Sequence, residues 1–198
     1  MSVQIVHLSD LHFDGEPDSW NDNDWALNKA GAEFEAQAKF IDSEYPKAHI
    51  AITGDITDSG TMAQYRLAER LLGTWLESGK LSVVPGNHDC GTYGLHFNEE
   101  RWTTFYRTFG TAVGRSSTLP WVKHVGPVAL IGFDSTKASK GTGWACGAVG
   151  GTQLQRLGEV FENPAVMGRV PVVLMHHHPF DKADTTLLAD APEFRRTL

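Results

Sequence analysis

Residues of types that bind metal ions recur along this sequence, each group directly after a short apolar segment. They form four groups: Asp10 and His12; Asp55 and Asp58; Asn87, His88 and Asp89; and His176, His177 and His178. Carboxylate and amide oxygens together with neutral imidazole nitrogens, without thiolate, suit Mn, Fe, Zn, Co or Ni. A carboxylate can also bridge two ions, and two ions about 3.5–4 Å apart can clamp a phosphoryl group. The residue types therefore predict a metal centre capable of phosphoryl chemistry.

The segments before these groups alternate between strand and helix patterns. Short apolar runs predict strands over Val3–Leu8, His49–Thr53, Leu81–Val84, Trp121–Val125, Val128–Asp134 and Val170–Met175. Apolar residues three and four apart predict helices over Trp25–Glu44, Thr61–Glu77, Thr152–Phe161 and within Leu187–Leu198. This alternation indicates an α/β layered domain whose early strands are parallel. Because ligands bind outside the carboxyl ends of strands in open α/β sheets, the four groups are expected to share one site.

Composition narrows the class of protein further. The chain has 198 residues, of which 41% are hydrophobic and 21% charged, so residues 1–198 are expected to form a single domain with a sizeable core. The net charge of −7 argues against an extended nucleic-acid surface. There is no apolar run of the ~18 residues that a membrane span needs, and no signal peptide is visible. We therefore expect a cytoplasmic protein with reduced cysteines, a small substrate and no membrane partner.

The four groups, in their order along the chain, resemble the motifs of the calcineurin-like metallophosphoesterases. Asp10-Leu11-His12 is similar to the D-x-H block of that family, and Gly54-Asp55 to its G-D block. Gly86-Asn87-His88-Asp89 is similar to G-N-H-[DE], and His176 to the histidine at a later strand end. The resemblance implies a central β-sandwich flanked by helices (αββα), a dinuclear metal centre and hydrolysis of phosphoesters.

The resemblance also implies a set of metal ligands. Asp10 and His12 would bind the first ion, and Asp55 would bridge the two ions. Asn87, through its side-chain oxygen, and His176 would bind the second. A bridging hydroxide would then attack phosphorus, since a metal lowers the pKa of bound water from 15.7 towards ~7.

The remaining site residues would act on the substrate. His88 would not bind metal but would serve as the general acid that protonates the leaving oxygen. Either Asp58 or Asp89 could hold the ring of His88, and the sequence leaves that choice open. His177 and His178 are candidates for substrate contacts.

The sequence lacks the last block of the family, G-H-x-H, in which each of the two histidines completes the coordination of one metal ion. No histidine follows His178 in this sequence. We therefore expect an incomplete domain that lacks C-terminal strands and is the first part of a longer enzyme. The alternatives are a diverged protein, or a partner chain that supplies the missing ligands.

The second block carries information about the substrate. Within the family, phosphoprotein phosphatases have G-D-x-x-D-R-G here, but this sequence has Ser59 where they have arginine. Three features resemble the sequences of bacterial cyclic-nucleotide and glycerophosphodiester phosphodiesterases: Ser59, the aspartate that follows Asn87-His88, and the His176–Pro179 stretch. We therefore predict a phosphodiesterase, with cyclic nucleotides as the first natural candidate. A phosphomonoesterase or nucleotide pyrophosphatase of the same fold, and a non-catalytic metal-binding module, remain as alternatives.

Overall fold

The computed structural model describes residues 2–14, 29–92, 96–114, 118–136, 146–180 and 188–198. The strands are β1 (Ile5–Leu8), β2 (His49–Thr53), β3 (Leu81–Val84), β4 (Gly91–Thr92), β5 (His96–Phe97), β6 (Trp121–Val125), β7 (Val128–Gly132) and β8 (Val170–Leu174). The helices are α1 (Lys29–Glu44), α2 (Met62–Glu77), α3 (Asn87–Cys90), α4 (Glu99–Thr108), α5 (Gly151–Glu162), α6 (Pro164–Met167) and α7 (Ala191–Thr197). In the described parts of the chain, no helix is both long and apolar enough to cross a membrane.

Two three-stranded sheets form the centre of the fold. The first has the order β1-β2-β3, and all its strands are parallel, as expected for the early strands. The second has the order β6-β7-β8, in which β6 is antiparallel and β8 parallel to β7. A short antiparallel pair, β4 and β5, lies outside both sheets. The parallel pairing brings the carboxyl ends of β1, β2 and β3 to one edge.

Alternation along β7 shows how the layers stack. Val128 and Leu130 belong to an apolar cluster with β2, β3 and the inner faces of α1 and α2. Ala129 and Ile131 belong to a second cluster, which α5, α6 and α7 complete. Because β7 is covered on both faces, it has a continuous apolar run instead of alternating polar residues. The layers are therefore helix, sheet, sheet, helix, and the expected αββα sandwich is confirmed.

Some boundaries differ from the predicted ones. The first and last strands are shorter than predicted, and β7 ends at Gly132. The backbone N–H of Phe133 still donates to the carbonyl of Leu174, but that of Asp134 donates to the side chain of Gln153 instead of to a strand. Residues 25–28 of the predicted first helix, and Leu187, lie outside the described residues. Helix α4 was not predicted, since it buries only Thr104 and Phe105. Its N-cap is Asn98, whose side-chain oxygen accepts a hydrogen bond from the backbone N–H of Arg101, the third residue of the helix.

A buried histidine makes stability depend on pH. His49 is buried at the start of β2, and its Nε2 lies 2.8 Å from Oγ of Ser82. Burial, together with the charge of Lys123, lowers the pKa of His49 from 6.5 to about 4. The unfolded chain takes up this proton near pH 6.5, whereas the folded chain resists it.

The free energy of unfolding should therefore fall as the pH drops from 6.5 towards 4. Urea unfolding at several pH values measures this, and His49→Gln should flatten the slope; an unchanged slope would contradict the assignment.

Candidate metal centre

The loops after β1 and β2 run side by side as they leave the first sheet. The backbone N–H of Asp10 donates to the carbonyl of Gly54 at 3.1 Å, and that of His12 donates to the carbonyl of Asp55 at 2.9 Å. These bonds continue the pairing of β1 and β2 beyond the strand ends. They place the first two predicted metal ligands beside the third.

Two glycines let the loops after β2 and β3 come into direct contact. Gly54 has a φ of +91°, and a Cβ there would lie 2.7 Å from the backbone nitrogen of Gly86 and from Nδ1 of His176. A Cβ on Gly86 would lie 2.1 Å from Oδ1 of Asp55. No side chain fits at either position, so the glycines of the G-D and G-N-H-D blocks are required by the close approach of the two backbones.

Three predicted ligands have an unusual backbone conformation. Asp10, His12 and Asp55 have φ values of 56°, 45° and 51°, and they are the only non-glycine residues with positive φ in the described parts of the chain. Left-handed backbone costs energy for residues with a Cβ and is concentrated at functional sites. Here the turn that it produces directs three side chains to one point.

Asp55 lies at the centre of the cluster. Its Oδ2 is 3.7 Å from Nε2 of His12 and 3.4 Å from Nε2 of His176, and its side chain is 5% exposed. Its Oδ1 accepts from the backbone N–H of His88 at 2.9 Å. Two groups of potential ligands share it: His12, Asp55 and His88, and Asp10, Asp55 and His176. Within each group the ligand atoms lie within 4.8 Å of one another, a spacing that suits metal ions.

His176 reaches this cluster from the second sheet. Its Nδ1 donates to the carbonyl of Thr53 at 2.8 Å, and its Nε2 lies 3.0 Å from Oδ1 of Asn87. A backbone carbonyl on one ring nitrogen commonly orients a metal-binding histidine, because it leaves the other nitrogen to face the ion. The structure therefore brings Asn87 and His176 together, as predicted for two ligands of one ion.

The carboxylate of Asp55 and the ring of His176 stabilise each other's charged forms. Burial by itself would raise the pKa of Asp55, but the hydrogen bond and charge of His176 and the N–H of His88 hold that pKa below its usual range. Burial would lower the pKa of His176, but its bonds to Asp55 and Thr53 raise it to about 9. Asp55 is therefore ionised at neutral pH and paired with the protonated ring of His176, which must release a proton before its Nε2 can bind a metal ion. The converging carboxylate, amide and imidazole groups fit divalent metal ions.

His88 is held by Asp58 and not by Asp89. Its Nδ1 donates to the backbone carbonyl of Asp58 at 2.5 Å, and Oδ1 of Asp58 lies 4.0 Å from the same nitrogen. The Asp58 carboxylate also lies 3.6 Å from Nδ1 of His12 and accepts from the Ser59 hydroxyl at 3.0 Å. Of the two alternatives left open by the sequence, Asp58 is the residue that the structure places at the ring.

Asp89 has a different position from the one expected. Its side chain is fully buried, and it accepts hydrogen bonds from the backbone N–H groups of Thr57 and Gly86. Burial and the negative charge of Asp55 raise the pKa of Asp89. The alternative in which Asp89 holds the ring of His88 is therefore corrected, because its oxygens accept from donors in two loops instead.

The other two histidines after β8 lie outside the cluster. His177 is 2% exposed, with its Nδ1 2.7 Å from Oγ of Ser135, and Gly147 packs against its ring. A substrate has no access to it, so the predicted contact is replaced by a packing role. His178 lines an apolar groove between β1 and β8, beside Phe180. The structure does not bring His178 to the two groups of ligands.

Two supporting residues were missed in the sequence. Thr53 ends β2, and its carbonyl orients His176. Ser59 holds the Asp58 carboxylate through its hydroxyl. In the sequence, Ser59 stands out only because it occupies the position of the arginine in phosphoprotein phosphatases. The only sign of a role for Thr53 in the sequence is its position directly before Gly54-Asp55. That position is equally typical of the last residue of a strand, so it does not identify a residue that orients a ligand.

A family model describing calcineurin-like phosphoesterases matches residues 3–195. The chain belongs to this family. No significant match is found among curated proteins. The family match covers every residue of the cluster, and calcineurin-like phosphoesterases are metal-dependent hydrolases of phosphoesters. The fold and the general chemistry inferred from the motifs are thus confirmed, and the metal-binding character fits the geometry of the two groups.

Replacing the shared carboxylate tests the centre directly. Asp55→Ala should remove all bound metal, because Asp55 belongs to both groups of ligands, whereas Asp10→Ala should remove part of it. Elemental analysis after loading with Mn²⁺ and gel filtration measures ions per chain. Asp42→Ala is a matched control, since that carboxylate accepts from Nε1 of Trp75 on the helical face. Unchanged metal content in Asp55→Ala would contradict the shared role.

Proposed function

We propose that this protein hydrolyses phosphodiesters at a centre of two metal ions, with cyclic nucleotides as the first natural candidate. The ions would be held by five side chains: Asp10, His12, Asp55, Asn87 and His176. The observation that carries the proposal is the position of Asp55 Oδ2, which lies within 3.7 Å of imidazole nitrogens from both sheets. A buried carboxylate that faces two sets of potential ligands can bridge a pair of ions.

The ions and the side chains would have separate tasks. When bound, metal ions would supply positive charge for the phosphoryl oxygens and lower the pKa of a water molecule. Mn, Fe, Zn, Co and Ni all suit the nitrogen and oxygen donors present. The protein keeps Asp55 ionised and orients His176 through Thr53, so that the ligand atoms are placed before an ion arrives.

His88 is the proposed general acid. Its Nδ1 is occupied by the carbonyl of Asp58, so the proton for the leaving oxygen would come from Nε2. The ring lies edge-on to that of His12, with centroids 4.7 Å apart, which places it beside the metal ligands. Its side chain is 26% exposed and therefore accessible to a substrate.

The surroundings of Asp58 support a diester substrate. A phosphomonoester carries a second negative charge, and a bidentate arginine is a common way to bind it. At the corresponding position this chain has Ser59, which is buried and donates to Asp58. A diester with a single negative charge needs less positive charge around it. This supports the phosphodiesterase over the phosphomonoesterase alternative.

A substrate panel tests this preference. With Mn²⁺ added, kcat/KM should be higher for bis(p-nitrophenyl) phosphate than for p-nitrophenyl phosphate, and cyclic nucleotides should be hydrolysed. Asp55→Ala serves as the inactive control for contaminating hydrolases. Efficient hydrolysis of monoesters with none of diesters would refute the diester assignment while leaving the metal centre intact.

The role of His88 has its own test. His88→Ala should lower kcat by roughly 10²–10⁴, the usual contribution of a general acid, without changing the metal content. His124→Ala is a matched control, because that histidine is exposed on β6 and distant in the fold. Loss of metal from His88→Ala would show that His88 is a ligand, which its place in one of the two groups would then explain.

A further inference from the structure

The Asp89 carboxylate makes four hydrogen bonds that reach two loops. Its Oδ1 accepts from the backbone N–H and the hydroxyl of Thr57, both at 2.9 Å. Its Oδ2 accepts from the backbone N–H of Gly86 at 3.0 Å and from that of Ile56 at 3.3 Å. Both oxygens are thus saturated by donors in a site without solvent exposure.

The donors are chain neighbours of the proposed metal ligands. Ile56 directly follows Asp55, and Gly86 directly precedes Asn87. One carboxylate therefore ties the loop that carries the shared ligand to the loop that carries Asn87 and His88. Backbone bonds to the residues beside a ligand fix where its Cα lies, and so where its side chain can reach.

Local capping does not account for this arrangement. Asp89 is the third residue of α3, and its bond to Gly86, the residue before that helix, is a capping bond. The bonds to Ile56 and Thr57, however, join residues 33 and 32 positions apart. Capping of α3 requires none of the bonds to Ile56 and Thr57. Burial of a carboxylate is also costly unless it is fully hydrogen-bonded, and the loop after β2 supplies three of the four donors.

We propose that Asp89 is a positioning residue, which sets the separation of Asp55 and Asn87 and thereby the affinity of the centre for metal. It acts through the two loops and touches neither the substrate nor the His88 ring. The inference rests on the proposed function, since the affected quantity is the affinity of that same metal centre.

Asp89→Asn is the principal test. A carboxamide has one acceptor oxygen, so its NH₂ group must face the donors on one side and those bonds are lost. The affinity for Mn²⁺, measured by calorimetric titration, should fall about 10–100-fold, the usual effect of losing a residue that supports metal ligands. At saturating Mn²⁺ most of kcat should return, because the reacting groups are intact. Amide hydrogen exchange of Ile56, Thr57 and Gly86 should accelerate by at least about tenfold.

Two further variants separate positioning from general destabilisation. Asp190→Asn alters a carboxylate that also accepts two backbone bonds, from Val149 at 3.0 Å and Gly150 at 2.7 Å, outside the cluster. It should leave the affinity for Mn²⁺ within about twofold of wild type. Thr57→Val removes one of the four bonds, along with the bond that the same hydroxyl accepts from the backbone N–H of Gly60, and should give a smaller loss of affinity than Asp89→Asn. It also serves as the test variant if Asp89→Asn does not fold.

The outcomes distinguish this inference from the proposed function. Affinity for Mn²⁺ that is unchanged in Asp89→Asn, or lost equally in Asp190→Asn, overturns the positioning role. If the wild-type chain binds no Mn²⁺ at all, the proposed function fails, and the amide exchange then decides about Asp89. Accelerated amide exchange in both loops of Asp89→Asn supports the inference that Asp89 connects the two loops, and unchanged exchange overturns that inference.

Discussion

The metal centre depends on the direct backbone contact between the loops that follow β2 and β3. The parallel register sets Thr53 level with Val84, so the two loops leave the sheet side by side. Gly54 and Gly86 then meet at a distance that no Cβ could occupy. Because the next residues are Asp55 and Asn87, this contact places a carboxylate and an amide in one small volume. Every other group of the site is positioned relative to this pair.

The second sheet contributes one of the predicted ligands, His176, so the packing of the sandwich is part of the candidate site. Leu130 and Leu174 lie in the same apolar cluster as Ile52 of the first sheet. His176 is the second residue after the end of β8, and its bond to Thr53 crosses from one sheet to the other. A cavity in this core would shift the sheets relative to each other, and interiors are packed too densely to absorb such a shift locally. Core substitutions far from the metal ligands are therefore expected to act on the centre through His176.

The sequence was most informative where burial is complete. β2 and β3 have the predicted bounds because a strand covered on both faces is a continuous apolar run that ends at turn residues. The predicted ligands directly follow such runs, and this position is what made them candidates in the sequence. The role of Asp89 was not predictable, because its partners at Ile56 and Thr57 are distant in sequence and offer only backbone groups. His177 was misread for a related reason: its burial against Ser135 depends on contact with the loop after β7.

The charge balance of the site explains why its parts depend on one another. Asp10, Asp55 and Asp58 all lie within 4.0 Å of a histidine nitrogen of the cluster, in a chain of net charge −7. A phosphoester anion approaching this surface meets like charges, and their repulsion is strongest around the buried carboxylate, where solvent screens least. Cations held between the carboxylates would reverse the sign of that field. The side chains that favour a metal ion thus disfavour an anionic phosphoester, and the positive charge of a metal would offset that repulsion.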